Sequence, residues 1–523
     1  MELKQHFIHR KYKKTEAGNQ ITIGEDYSIP EGKPDMSQIL QKKAEIEIEE
    51  VHTEKGKIKI RGKLKLKVLY LAERSSQIAD CVETEFLFDE NLYIEGADTG
   101  DHLKIDWSIE DLRISIIHPG KLGIRALVSL WAVVSGTEDN LITENIEGDS
   151  QTYTMSEKIT MAEPVFERKD SYRIRDEIVL PVNKPNVQKI LWKDLQLRGL
   201  ELRIQEEKLA VKGEAVFLVI YESEDEINTM QWMEQTLPFH GTLDVPGMTQ
   251  EMFGIFESEI AHQEIELKPD YDGEMRMFQM EILLDIHMHI YEEHSCSVLR
   301  DAYHTKEQMN LNIQEIAYEK LRMCNGAKCR VSGKETLEQE RGILQILGQQ
   351  AQLQGKSSKV TEQGILREGK LEVQVLYVTA DDRQPFGSVT INLPYSQLIE
   401  IPDMKKEDQW KVSETLEQVF ISMPQSNQIE VRGVIGMNVC VLEQCKLDNV
   451  TSVVMEPYDL EAYKKRPGMV IHFVQPKESL WEIAKKNLTT IEEIKKINEL
   501  TVDEVLPGQK LLLLKPVMEN QMI

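Results

Sequence analysis

One strand-sized pattern occurs three times in this chain. Residues 57–73 read KIKIRGKLKLKVLYLAE, residues 208–224 read KLAVKGEAVFLVIYESE, and residues 364–380 read GILREGKLEVQVLYVTA. In each, a glycine precedes a tyrosine by eight residues: Gly62 and Tyr70, Gly213 and Tyr221, Gly369 and Tyr377. Successive copies are offset by 151 and 156 residues. That period is far too long for a solenoid unit, so each copy is expected to own a core.

Other landmarks keep the same order. IPEGKPDMSQIL opens at Ile29-Pro30 and LPVNKPNVQKIL opens at Leu180-Pro181, again 151 apart. The third copy lacks these prolines, and NLNIQEIAY (310–318) reads as what remains of its opening. Each copy ends in two alternating runs joined by a turn, at 112–134, 265–290 and 419–442, with turn prolines Pro119, Pro269 and Pro424. Alternation with period two, broken by turn residues, means antiparallel hairpins. The expected fold is mainly β: three tandem β-sandwich-like repeat domains, each with room for one short helix near PDMSQILQKKA or PNVQKILWKDL, followed by a small βααβ module. The expected boundaries are an N-terminal arm at 1–27, repeats at 28–150, 178–293 and 305–445, a linker at 446–468 and the module at 469–515.

The repeated strand differs between copies on one face only. In the first copy Lys55, Lys57, Lys59, Arg61, Lys63, Lys65 and Lys67 share a face, and Ile58, Ile60, Leu64 and Leu66 share the other. This basic face is expected to be solvated and balanced by EIEIEE (45–50); the alternative is docking of an acidic partner at Lys63, Lys65 and Lys67. At the matching positions the second copy has Glu214, Val216 and Leu218, and the third has Lys370, Glu372 and Gln374. Strand 209–220 is therefore expected to be buried on both faces, with Val216 and Leu218 against another copy or a partner.

The net charge of -27 argues against nucleic acid or anionic lipid as the main partner. The N-terminus has no apolar signal core, and no run is long enough for a membrane-spanning helix, so a cytosolic protein with six reduced thiols is expected. Cys324/Cys329 and Cys440/Cys445 have spacings a zinc site could use, but no histidine is near them in sequence. Asp285, His287 and His289 alternate on one strand face; a solvated polar row is the preferred reading over a metal site. No nucleotide, zincin or hydrolase motif is present. No cofactor, metal or catalytic residue is assigned. An enzyme would instead need a clustered, perturbed set of ionisable groups in a deep pocket.

After a polar stretch at 456–468 the chain reads as strand (470–474), helix (479–486), helix (491–498) and strand (510–514). Ser479 with Glu482 makes a capping box. Val474, Ser479-Leu480-Trp481, Ile483-Ala484, Ile494, Asn498 and Pro507-Gly508-Gln509-Lys510-Leu511 resemble LysM. The resemblance implies binding of N-acetylglucosamine polymers such as peptidoglycan through two loops, which here hold Pro476, Lys477, Glu478, Ser479, Leu480, Asn498, Leu506, Pro507 and Gly508. LysM usually has Gly-Asp-Ser/Thr-Leu in the first loop. This chain has Lys477-Glu478-Ser479-Leu480, a departure that shifts the expectation from sugar toward protein docking.

Taken together, the repeats and terminal LysM resemble the SPOCS-domain spore-coat morphogenetic proteins of endospore-forming bacteria, of the SipL type and functionally similar to the SpoVID type. That resemblance implies a non-enzymatic scaffold in the mother-cell cytoplasm at the forespore surface. It would bind the spore-coat morphogenetic ATPase and other coat proteins. The rival expectation is a peptidoglycan-binding cell-wall protein.

Overall fold

The computed structural model describes residues 2–73, 78–98, 101–225, 230–337, 342–381, 385–458, 461 and 467–515. Each repeat contributes six strands. The first holds β1 (Glu2–Ser28), β2 (Met36–Glu54), β3 (Lys57–Ala72), β4 (Ala79–Tyr93), β5 (His102–His118) and β6 (Lys121–Glu147). The second holds β7 (Thr152–Val179), β8 (Val187–Gln205), β9 (Lys208–Ser223), β10 (Met230–Asp244), β11 (Phe253–Pro269) and β12 (Met275–His304). The third holds β13 (Glu307–Thr336), β14 (Ile343–Thr361), β15 (Gly364–Thr379), β16 (Phe386–Glu400), β17 (Gln409–Gln425) and β18 (Gln428–Pro457).

In every repeat the six strands form two antiparallel three-stranded sheets. The first repeat has β2-β3-β4 and β1-β6-β5, the second β8-β9-β10 and β7-β12-β11, the third β14-β15-β16 and β13-β18-β17. The inner faces of each pair enclose a separate core, such as Ile58, Leu64, Val68, Ile124, Val128 and Leu130 in the first. This is the sandwich expected from alternating hydrophobicity.

The repeated landmarks have a common cause. The glycine leaves room for an aromatic ring from the next strand. A Cβ at Gly62 would stand 2.7 Å from the Phe88 ring, one at Gly213 2.7 Å from Phe239, and one at Gly369 2.4 Å from the Tyr395 hydroxyl. The tyrosine hydroxyl holds the proline of the opening segment: Tyr70 donates to the Pro34 carbonyl and Tyr221 to the Pro185 carbonyl, both at 3.0 Å. Tyr377 is still buried in the third repeat, where those prolines are missing.

Four expectations need correction. The segments expected as short helices are strands β2 and β8. Two bulges near the start of each strand shift the alternation, so Met36 faces the sandwich core while Leu40 faces the opposite side, an i,i+4 spacing that imitates a helix. NLNIQEIAY lies in the outer half of β13, whose counterparts are β1 and β7; the opening of the third repeat leads instead into Ile343. The N-terminal arm is β1, paired along its length with β6, and residues 446–457 of the expected linker continue β18. Finally, Cys324 is joined by a disulfide to Cys440, its partner across β13 and β18, while Cys81, Cys296, Cys329 and Cys445 are free thiols. The ladder, not the short chain spacing, decides which cysteines meet.

The three repeats touch. Leu40, Leu191 and Leu347 form one buried cluster with Leu69, Ile220 and Leu376, and with Ala79, Met230 and Phe386. Each trio is separated by the same 151 and 156 residues as the Gly–Tyr landmarks. Equivalent positions therefore meet at a pseudo-threefold axis. Beyond the sandwiches, the long strands continue as two-stranded ribbons: β1 with β6, β7 with β12, and β13 with β18. Ile8, Ile142, Met161, Val298, Ile316 and Leu447 join all three ribbons in a second shared cluster.

Candidate functional site: the repeat junctions and the C-terminal module

Three equivalent junctions close the ring of repeats, and each uses different chemistry. Between repeats two and three, Leu218 rests on Gly348, where a Cβ would stand 2.6 Å from its methyl. Between three and one, the Gln374 amide donates to the Lys42 carbonyl at 3.2 Å and accepts from the Lys42 amide at 3.3 Å. Between one and two, the Lys67 ammonium lies 5.3 Å from the centre of the Trp192 ring. Leu218, Gln374 and Lys67 occupy one position in the repeat; Gly348 and Trp192 occupy another, whose counterpart in repeat one is Gln41, the neighbour of Lys42.

β9 is buried on both faces from Ala215 to Tyr221, and keeps simple alternation before that. Val216 and Leu218 are 3% and 2% exposed. Repeat three covers Leu218 at Gly348, and with both side chains buried neither is open to an outside partner. Lys63, Lys65 and Lys67 do not form an unpaired basic strip. Lys63 reaches Glu49 at 3.3 Å and Glu85 at 3.4 Å, Lys65 pairs with Glu47, and Lys67 with Glu83 at 2.8 Å. The EIEIEE strand supplies much of this balance, as expected.

Where Lys65 and Lys67 replace Val216 and Leu218, a cleft of about 340 Å³ remains between repeats one and two. At its base Lys43 meets Asp194 at 2.7 Å. Burial disfavours the Lys43 charge, but Asp194 and Glu45 outweigh it and hold the ammonium above its ordinary value. Lys43 and Asp194 are equivalent residues, 151 apart. Aligning the copies could have revealed this pairing, which reading each strand alone missed.

A second charge cluster binds all three repeats. Glu257 of β11 pairs with Lys104 of β5 and, at 2.6 Å, with Lys411 of β17. Burial pushes the Glu257 carboxyl up, but Lys411 and Lys104 outweigh it and bring it down to about 2. The polar row on β12 is likewise engaged. Asp285 accepts from Ser171 at 2.6 Å and pairs with Lys169 at 2.7 Å, His287 lies 3.8 Å from Glu259, and His289 lies 3.6 Å from Glu167. Among the described residues no group of three or more His, Cys, Asp or Glu side chains is arranged to hold a metal ion.

The C-terminal module comprises β19 (Met469–Phe473), α1 (Leu480–Asn487), α2 (Ile491–Asn498) and β20 (Lys510–Leu514), with β19 and β20 antiparallel. Ser479 and Glu482 form the expected capping box. In the first loop Lys477 has φ +68°, the left-handed conformation for which glycine is suited. The backbone bend thus survives the loss of glycine. Glu478 accepts from the Gln475 amide at 2.9 Å and from His472 Nε2 at 2.7 Å, and these contacts hold its carboxyl below the usual range. Pro476, Lys477 and Ser479 are exposed, as are Leu506, Pro507 and Gly508 of the second loop, with Leu506 73% exposed. Two assignments change. Leu480 is 2% exposed and belongs to the module's core. The Asn498 side chain is tied to both backbone groups of Leu512, at 2.6 and 2.9 Å, so it fixes β20.

The module is docked on repeat two, although the chain reaches it from repeat three. Trp481 Nε1 and Lys485 Nζ donate to the two oxygens of Asp301, at 2.8 and 2.6 Å. The Tyr303 hydroxyl donates to the Thr489 carbonyl at 2.9 Å, and its ring meets Trp481 edge-on and stacks on Tyr153. Asp301, Tyr303 and Tyr153 carry no local sequence signal for this role.

A model described as "SipL, SPOCS domain" matches residues 35–117, 186–268 and 342–424. A LysM domain model matches residues 472–513. No curated protein and no solved structure matches the chain. The three SPOCS matches run from the start of each Gly–Tyr sheet into the hairpin of the second sheet, and leave out the long strands that build the ribbons. No helix among the described residues is long and apolar enough to cross a membrane. The chain is a SPOCS-repeat protein ending in a LysM domain, a composition that fits sporulation-coat or cell-wall binding.

Proposed function

We propose that the protein is a non-catalytic scaffold for spore-coat assembly at the mother-cell side of the forespore, with the LysM loops as its docking element for the coat-basement ATPase. One observation carries this reading. The helical side of the LysM module is fastened to repeat two through Asp301 and Tyr303, while both its ligand loops face solvent. A module anchored on one side and open on the other presents a fixed surface to a partner. Rigid presentation lowers the ordering cost of binding.

The first loop favours a protein over a sugar. Lys477 stands where LysM usually has glycine, and Glu478 is already engaged by His472 and Gln475. Leu506, exposed in the second loop, adds an apolar contact. Peptidoglycan binding is the second reading, favoured by the retained backbone bend at Lys477.

The test uses the full chain and a Leu506→Glu variant, each presented to the immobilised ATPase and to peptidoglycan sacculi. The scaffold reading expects the ATPase to retain the native chain and to lose at least about tenfold in affinity for the variant, a hot-spot effect. Retention by sacculi alone would reject it in favour of the cell-wall reading.

A further inference from the structure

The Cys324–Cys440 pair has an environment unlike that of the other cysteines. Three side chains stand in one row across the sheet: Cys324 on β13, Cys440 on β18 and Lys411 on β17, each directly opposite the next. Directly opposed residues share a face and lie within side-chain reach. Cys324 is exposed, whereas Cys440 is 6% exposed. Lys411 also holds Glu257 of repeat two at 2.6 Å, so this row adjoins the charge cluster that joins all three repeats. Burial raises the thiols of Cys81, Cys296, Cys329 and Cys445, the first two to about 11, which suppresses their reactivity.

We propose that the Cys324–Cys440 bond is a thiol-opened redox lock on the third repeat, with Cys440 as the leaving sulfur. The co-reactant is a low-molecular-weight thiol. Its thiolate attacks the accessible Sγ of Cys324 and forms a mixed disulfide there. The Cys324–Cys440 bond breaks, and its electron pair passes to Cys440, which departs as a thiolate beside the Lys411 ammonium. A cation at the leaving sulfur favours this direction. A second external thiolate then attacks the external sulfur of the mixed disulfide and releases Cys324 as a thiolate. Two external thiols are oxidised to one disulfide, and two cysteines are reduced. In the opened state Lys411 faces two anions, Cys440 and Glu257, so the redox state of the third repeat acts on the junction with repeat two.

The experiment uses the full chain oxidised with glutathione disulfide, then exposed briefly to limiting glutathione, alkylated and mapped by peptide mass. The expected result is glutathione on Cys324 and the alkyl group on Cys440. Lys411→Met should slow opening severalfold, and Lys411→Arg, which keeps a cation in the row, should open at a rate closer to the native chain than Lys411→Met. Glutathione on Cys440, or alkylation of both cysteines before any thiol is added, would overturn the proposal. A rate unchanged in Lys411→Met would overturn the role of Lys411.

Discussion

The junction between repeats two and three and the junction between repeats one and two are built from equivalent strands, yet one is dry and the other holds a cleft. In the first, Val216 and Leu218 are buried and Leu218 sits on Gly348. In the second, the equivalent Lys65 and Lys67 turn to Glu47 and Glu83, and Lys67 lies over Trp192. The sandwich cores hardly differ, because the inner residues of β3, β9 and β15 remain apolar. Divergence after duplication has fallen on the contacts between copies. A large residue in one repeat is met by a small one in the next: leucine by glycine. Such unlike contacts give each repeat one proper neighbour and specify the order of the ring, a use of local asymmetry seen wherever similar units must pair correctly.

The largest effect is expected when one junction is written into the other. Leu218→Lys copies Lys67 into the dry junction, where Gly348 offers no indole face and the site is closed to water. Glu234 stands opposite on β10, as Glu83 stands opposite Lys67, so the ammonium finds a carboxylate, but the buried leucine contact with Gly348 is lost; the exchange should cost about 3–4 kcal/mol, the scale of a large core lesion, read by denaturant unfolding of the full chain. A cost below about 1 kcal/mol would show that the two junctions are interchangeable.

Glu257→Gln asks whether the charge cluster shared by all three repeats matters as much as the apolar contact. Removing this carboxylate leaves Lys104 and Lys411 facing each other, at a cost of about 2–3 kcal/mol near neutral pH. The sign with pH follows from its lowered pKa. Its contribution is full above the unfolded value of about 4.3 and is lost as pH falls through that value toward about 2. The stability difference between native and variant chains should therefore shrink on acidification over that window. A difference constant down to pH 2 would remove the charge cluster from the account.

The smallest effect belongs to the reverse exchange. Lys67→Leu places an apolar side chain against Trp192 in the open junction. Lysine already lays its stem on such surfaces, so stability should change by less than about 1 kcal/mol. A large loss would mean that the Lys67–Glu83 pair, not the contact with Trp192, holds this junction.

Much of this was legible in the sequence, and the failures share a cause. Periodicity identified the hairpins, the repeated central strand and all four elements of the LysM module, because these depend on neighbours in the chain. The burial of Val216 and Leu218 was legible by comparing copies, since an apolar outer face needs a cover. The bulges in β2 and β8 misled, because a phase slip in a strand resembles helical spacing. The disulfide, the ionic cluster at Glu257 and the anchoring of Trp481 on Asp301 were not legible. Each joins residues more than a hundred positions apart: strand pairing within repeat three makes the first, packing of the repeats the second, and docking of the module on repeat two the third.

The central claim is that the three repeats make one cooperative body around a shared core. Amide hydrogen exchange on the full chain, with and without Leu218→Lys, tests it most directly. The substitution in β9 should lower protection together in β3, β9 and β15, because Leu69, Ile220 and Leu376 share one cluster. Loss of protection confined to β9 and its own sandwich, with β3 and β15 unchanged, would contradict it.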